Sequence, residues 1–307
     1  MKSELIATET RQITIDDAQA QARRIFDLLD VRELTRADYK MRINLFIDYL
    51  QTHPLNRNSF LDFKRELADR LDLSVSTKNK YLTTARVFLK ELNRIGTIPA
   101  DITQNIKTFN QSKKHRKDGL NDEEIITLTD KMRTLPLTAH NARIKAILSL
   151  LTFQGLRQIE IVRLDIKDLD FVNATAFIQG KGQDDKESIA LHPETVRALQ
   201  DYLRANKIAS GPLFTSQSNN GRNKRLTTRG LRGIVKQILT ELGINKTTHG
   251  FRHYFTTKLI KTYKGDLLEV AQYTRHRSLE MLQVYNDAIK RKADLPRFYE
   301  AFNGVSF

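Results

Sequence analysis

The chain has 307 residues, enough for two domains of ordinary size, and 40% of them are apolar, enough to give each a core. It contains no Cys, which excludes disulfides, iron–sulfur clusters, thiolate zinc sites and a thiol nucleophile, and fits a reducing compartment. Lys and Arg outnumber Asp and Glu by 51 to 36, and a net charge of +15 points to a polyanionic partner, nucleic acid ahead of an acidic membrane or ribosomal surface.

Apolar spacing first predicts a short helix near Ile15 to Leu29. A second helix, starting after Thr35, places Tyr39, Ile43, Phe46, Ile47 and Leu50 on one face. A third follows Asn58 with Leu61, Phe63 and Leu67. The fourth opens near Ser76, puts Tyr81, Ala85, Phe88, Leu89 and Leu92 in register, and ends toward Gly96. The polar faces of this four-helix unit carry Arg36, Lys40, Arg42, Lys64, Arg65, Lys78, Lys80, Arg86 and Lys90. Singly these read as a solvated surface; together they suit a side that faces DNA. From Gln111 the chain runs Ser-Lys-Lys-His-Arg-Lys-Asp-Gly, which is polar, basic and aperiodic, so an exposed linker and a domain boundary are expected there. Asn121 followed by Glu124 then marks a helix start of the capping-box type.

The remainder is mostly helical, with apolar stripes at Ile144, Ile147, Leu148 and Leu151, at Val196, Leu199 and Leu203, and at Leu231, Val235, Ile238 and Leu242. Between Leu169 and His192 the pattern changes to a strand, Thr-Ala-Phe-Ile, a Gly/Asp turn from Gly180 to Asp185, and a second strand, Ser-Ile-Ala-Leu. No stretch approaches the roughly 20 apolar residues that cross a bilayer, and no basic stretch near the start joins an apolar run, so a cytoplasmic protein is expected. The Asn173-Ala174-Thr175 sequon is then a chance match.

The chain has no His-Glu-x-x-His helix, no Gly-x-Ser-x-Gly elbow and no Walker loop, so neither metal nor nucleotide cofactor is expected. What remains is a set of basic residues around a late tyrosine. His249 and Arg252, three apart at the start of a helix, share a face, although His-x-x-Arg alone is a weak signal. Arg157 follows Gly155-Leu156 at the end of an apolar helix, where it could simply balance the helix dipole and pair with Glu160. His276, a Ser278 helix cap and Tyr285 nine positions after the His could border one cleft.

Gly155-Leu156-Arg157-x-x-Glu160, the Lys181 hairpin, His249-x-x-Arg252, and His276 with Tyr285 resemble, in order, the active-site series of the tyrosine recombinase family, which includes phage integrases and the Xer-like and Cre-like enzymes. The likeness extends over essentially the whole chain, since the helical amino-terminal unit and basic linker are similar to that family's core-binding domain. It implies a mainly α fold with a small antiparallel β-hairpin sheet, arranged as a two-domain clamp. Residues 1–112 would form the core-binding domain and residues 113–307 the catalytic domain. The resemblance implies that Tyr285 attacks a DNA phosphate to form a 3′-phosphotyrosine, with Arg157 and Arg252 donating to the non-bridging oxygens. His249 and His276 would serve as phosphate ligand and proton acceptor, with the assignment between them open. Lys181 would protonate the leaving 5′ oxygen, with Lys186 as a competing choice, and Glu160 would buttress Arg157. One departure stands out: Thr274-Arg275-His276 replaces the family's frequent Leu-Gly-His, so a bulky cation occupies a glycine position.

Arg222, Lys224, Arg225, Arg229 and Arg232 form a basic run that would neutralise phosphates, with a solvated loop as the plain alternative. Leu295, Phe298, Phe302 and Phe307 form a terminal apolar stripe, which by the resemblance docks into a neighbouring subunit or else packs on its own domain. The reading is a site-specific recombinase acting on double-stranded DNA as a homotetramer on two sites, or with a related recombinase. Its rivals are a type IB topoisomerase-like enzyme and a DNA-binding protein with vestigial catalytic residues. The short stretch before the first helix leaves no room for a separate arm-binding domain, which favours a simple recombinase.

Overall fold

A computed structural model describes residues 20, 24–111, 119–180, 182–217, 223–276, 278–301, 303 and 304. The chain divides into two compact units, Met1–Lys113 and Lys114–Phe307.

The first unit is helical, with α1 (Glu33–Arg42), α2 (Asn44–Thr52), α3 (Ser59–Asp69) and α4 (Val75–Arg94). Of the first predicted helix, residues 20 and 24–28 are described and helical, Ile25 and Phe26 are buried, and Leu29 lies in a bend; the rest lies outside the described residues. The second predicted helix starts earlier than expected, at Glu33, and is two helices. The chain tightens at Ile43, whose carbonyl accepts from Phe46 N at 2.9 Å. Ile43, Phe46 and Ile47 remain buried through this joint, which is why spacing alone did not reveal it. In α3 the inward positions are Phe60, Phe63 and Leu67, with Leu61 only half-buried. Ser74, two residues ahead of the expected Ser76, caps α4 by accepting from Thr77 N. Phe46 and Phe63 meet edge to face at 4.9 Å, and each buried Phe contributes about 1.5–3 kcal/mol. Several of the basic residues expected on the polar faces work inside this unit. Arg36 donates to the carbonyls of Phe26 and Leu29, Lys78 is buried with Nζ on Ala68 O, and Arg86 donates to Ile106 O.

The second unit opens with α5 (Asp122–Thr134), whose Asn121 and Glu124 make both bonds of a capping box. Helix α6 (Ala139–Phe153) is buried nearly all round and forms the centre of the unit's main core. A short helix, α7 (Gln158–Arg163), leads into a three-stranded antiparallel sheet. Its order is β1 (Leu169–Asp170), β2 (Thr175–Gln179) and β3 (Lys186–Ala190). The expected hairpin is β2–β3, in register from Thr175 opposite Ala190 to Gln179 opposite Lys186. The two-residue β1 is too short for alternation to announce it. Helices α8 (Pro193–Asn206), α9 (Thr228–Glu241), α10 (Thr248–Thr262), α11 (Leu267–Thr274) and α12 (Leu279–Glu300) complete the unit. Ile260, Val270, Leu282 and Tyr285 from α10, α11 and α12 make a second, smaller core, and that core seats Tyr285. The fold is mainly α with a small antiparallel sheet. Among the described residues no helix is long and apolar enough to cross a membrane.

Candidate active site

The site is organised around Glu160, which is fully buried on α7. Gly155 ends α6 with φ +56°, and a Cβ there would stand 2.3 Å from the Phe255 ring, so only glycine fits. Arg157 is therefore the first residue of a new turn and caps the N-terminus of α7; it does not balance the C-terminal dipole of α6. The Glu160 carboxylate accepts from Arg157 N at 2.8 Å and from Arg157 Nη1 at 2.7 Å. Arg157 keeps its side chain about a third exposed.

Arg252 enters from α10 and is 4% exposed. Its Nη1 donates to Gly155 O at 2.8 Å and its Nη2 to Thr274 O at 2.5 Å. Two backbone carbonyls thus fix the guanidinium plane while Nε and one hydrogen on each terminal nitrogen stay undedicated to those bonds. Burial, and then the charges of Arg157 and Arg275, lower its pKa to about 10, so it remains a cation at neutrality. Arg275, only 9% exposed, adds a third guanidinium, with Nη2 3.2 Å from Glu160 Oε2 and Nε 3.2 Å from Glu187 Oε1. Three clustered arginines against one buried and one part-exposed carboxylate make a place that favours an anion.

His276 lies beside this cluster. Burial first, and then Arg252, Arg157, Arg275 and His253, push its pKa down to about 3, so the ring is neutral. Its Nδ1 is 2.8 Å from Thr274 Oγ1, and that hydroxyl donates to Val270 O at 2.9 Å. The single hydroxyl proton is committed to the carbonyl, so Nδ1 must carry the ring hydrogen and Nε2 the free lone pair. Tyr285 is buried near the start of α12, which Ser278 caps. Burial raises its pKa to about 12, against the lowering effect of Arg252.

His249 is exposed, edge-on to His253 with ring centroids 4.6 Å apart. His253 is buried and its ring lies 5.1 Å from Tyr285, closer than the 6.5 Å of His276. Thr274, Arg275 and His253 are site residues that sequence reasoning did not assign. His253 stands four after His249, one helical turn on, and that spacing could have drawn it in.

Lys181 lies outside the described residues. Lys186 is held by the buried Asp168, Nζ to Oδ1 at 2.5 Å. Of the basic run, Arg222 lies outside the described residues, while Lys224, Arg229 and Arg232 are exposed. Arg225 is committed inside the fold, donating to the carbonyls of Val162 and Leu164 and pairing with Asp165 at 2.6 Å. Leu295, Phe298 and Tyr299 are exposed on α12; Phe302 and Phe307 lie outside the described residues.

The phage integrase family model matches residues 119–292. The chain is 27% identical over 275 residues to the tyrosine recombinase XerD of Staphylococcus epidermidis, covering 86% of this chain and 90% of that protein. Its fold is similar to that of the XerH site-specific recombinase in a post-cleavage complex with palindromic difH substrate, with a TM-score of 0.73, 21% identity, and 91% and 84% of the two chains covered. A lambda integrase(75-356) dimer bound to a COC′ core site matches with a TM-score of 0.66 at 12% identity, over 88% of this chain and 94% of that one. The chain belongs to the phage integrase family. It is an enzyme that cleaves and rejoins DNA, and neither the topoisomerase-like nor the inactive reading is favoured.

Proposed function

We propose that the chain is a site-specific DNA recombinase whose chemistry runs through Tyr285 on a phosphate held by Arg157 and Arg252. The observation that carries this reading is the clustering of Arg157, Arg252 and Arg275 around one buried carboxylate, with neutral His276 and Tyr285 within their field. Guanidinium groups stay charged and donate in pairs to adjacent phosphate oxygens, and fixed donors stabilise the charge that spreads there in the transition state.

The Tyr285 oxygen forms a bond to phosphorus as the bond from phosphorus to the 5′ oxygen breaks. The phenol proton passes to His276 Nε2, and the leaving 5′ oxygen takes a proton from Lys181. The anionic diester offsets the arginine charges that depress His276, so the ring becomes a better base once DNA is bound. Lys186 is less suited as the acid because Asp168 already holds it. His249 assists as a phosphate ligand. The 3′-phosphotyrosine conserves the ester for attack by a 5′ hydroxyl of a second strand, so neither ATP nor a metal ion is required.

Residues 1–112 act as the core-binding domain and residues 113–307 as the catalytic domain, and each contacts duplex DNA. Lys224, Arg229 and Arg232 neutralise backbone phosphates. A homotetramer, or an assembly with a related recombinase, holds two DNA sites, joined through the apolar end of α12.

The test is covalent capture. The full chain is mixed with sheared chromosomal DNA of its source cell, denatured with detergent, and the protein-linked fragments are sequenced. A discrete site recovered with the parent chain and lost with Tyr285→Phe, with DNA binding kept, is the expected result. Capture that survives Tyr285→Phe, or no capture by the parent, refutes the reading.

A further inference from the structure

Arg275 takes no part in the chemistry above, yet it is built deeply into the site. It ends α11 in the left-handed region at φ +54°, where glycine carries no steric cost and arginine does. A buried cation in a strained backbone position persists where its surroundings over-determine it. Those surroundings come from separate elements. Nη2 donates to Glu160 Oε2 at 3.2 Å, and Glu160 is the carboxylate that orients Arg157. Nε lies 3.2 Å from Glu187 Oε1, an ion pair without the angle of a hydrogen bond. Glu187 sits on β3, and Lys181 falls between β2 and β3 in the sequence. Nη1 donates to Tyr273 O at 3.3 Å. Each guanidinium nitrogen thus lies near a protein acceptor, and those acceptors come from α7, β3 and α11.

From this juxtaposition we infer that Arg275 is a positioning residue that ties the β2–β3 hairpin to the carboxylate holding Arg157, and so sets where the hairpin lysine delivers its proton. The inference rests on the recombinase chemistry proposed above. Two other ties reach the same hairpin, Arg163 Nη1 on Gly180 O at 3.2 Å and Lys186 on Asp168. Arg275 is distinguished from them by touching the Arg157 buttress as well. Loss of Arg275 therefore leaves the hairpin attached but no longer registered against the phosphate-binding arginines.

The leaving group discriminates this role from a general structural one. When the bond to a 5′ oxygen breaks, the oxygen leaves with the electron pair and takes up the lysine proton; a 5′ bridging sulfur leaves as a thiolate and needs no acid. Single-turnover formation of the covalent complex is timed on a duplex bearing the captured site, made once with bridging oxygen and once with bridging sulfur. Arg275→Gly, whose backbone suits the left-handed turn, is expected to slow the oxygen substrate about tenfold while leaving the sulfur substrate within about threefold of the parent. Glu187→Gln shifts the two substrates in the same sense, and decides the matter alone if Arg275→Gly does not fold. Any result without that selectivity for oxygen over sulfur, whether equal slowing or none, overturns the inference. Failure of the underlying reading is distinct, because the parent chain would then form a covalent complex with neither duplex.

Discussion

Thr274 fixes the tautomer of His276. Its hydroxyl donates to Val270 O at 2.9 Å and so can only accept from His276 Nδ1, 2.8 Å away. Nε2 is left as the basic nitrogen, the state needed to receive a proton from Tyr285. Thr274→Val keeps the volume and removes the acceptor. The expected outcome is a cleavage rate lowered by about tenfold or more with DNA affinity unchanged, since a wrong tautomer disables a general base. Nitrogen NMR of the labelled His276 ring should change from one tautomer to a mixture; an unmixed spectrum contradicts the assignment.

The depressed His276 pKa also governs stability in the absence of DNA. The folded ring titrates at about 3 against an ordinary value of 6.5. Between those values the unfolded chain binds a proton that the folded chain does not, so stability falls as pH falls through this window and is fully present above it. The ring is part-exposed and solvent screens the effect, so the slope stays below the about 1.4 kcal/mol per pH unit of one whole proton. From pH 7.5 to pH 5 the urea midpoint of the parent should fall relative to that of His276→Gln. Parallel curves would show that His276 is not the group responsible.

Gly155 and Gly182 separate two costs of losing a glycine. Both have positive φ, +56° and +81°, but a Cβ at Gly155 meets Phe255 Cδ1 at 2.3 Å whereas Gly182 has open space. Gly182→Ala should cost only the left-handed penalty of about 1–2 kcal/mol. Gly155→Ala adds overpacking of about 1–3 kcal/mol and moves the carbonyl that holds Arg252. Chemical denaturation should rank them in that order, and cleavage should be lost with Gly155→Ala.

The same glycine shows how far the sequence could be read. Long helices and their inward faces were legible because burial imposes a period, as at Phe88, Leu89 and Leu92 in α4. The joint at Ile43 was not, because the apolar stripe runs through it unchanged. Arg157 was placed at the end of one helix when it begins the next, a difference set by the left-handed turn at Gly155 that spacing does not encode. The polar partnerships were the least legible. Glu187 reaches Arg275, and Thr274 O reaches Arg252, only because the fold brings separate segments together, and the local bond from His276 to Thr274 has no periodic signature. Arg225 looked like its basic neighbours and differs from them only in what lies beside it.

Those neighbours give a salt-dependence test. Lys224, Arg229 and Arg232 are exposed, while Arg225 is bound to Asp165 and two carbonyls. Replacing an exposed cation that contacts a phosphate should weaken DNA binding and lower the slope of affinity against salt by about one. Arg225→Ala should instead lower the melting temperature, with the slope preserved in the protein that remains folded. A reduced slope for Arg225→Ala with unchanged stability would reverse these assignments.

Leu295, Phe298 and Tyr299 occupy positions three and four apart, one face of α12, and all three are exposed. An apolar helical face in water costs free energy that association recovers, about 1.5–3 kcal/mol for each large side chain buried. If this face joins one protomer to the next, Phe298→Glu places a charge in the middle of the contact, where desolvation makes it expensive. Phe298 lies more than three helical turns beyond Tyr285, so single-site covalent capture should persist while assemblies on paired DNA sites, followed by sedimentation, fall back to smaller species. Unaltered sedimentation of Phe298→Glu on paired sites would mean that the contact between protomers lies elsewhere and that this face serves another purpose.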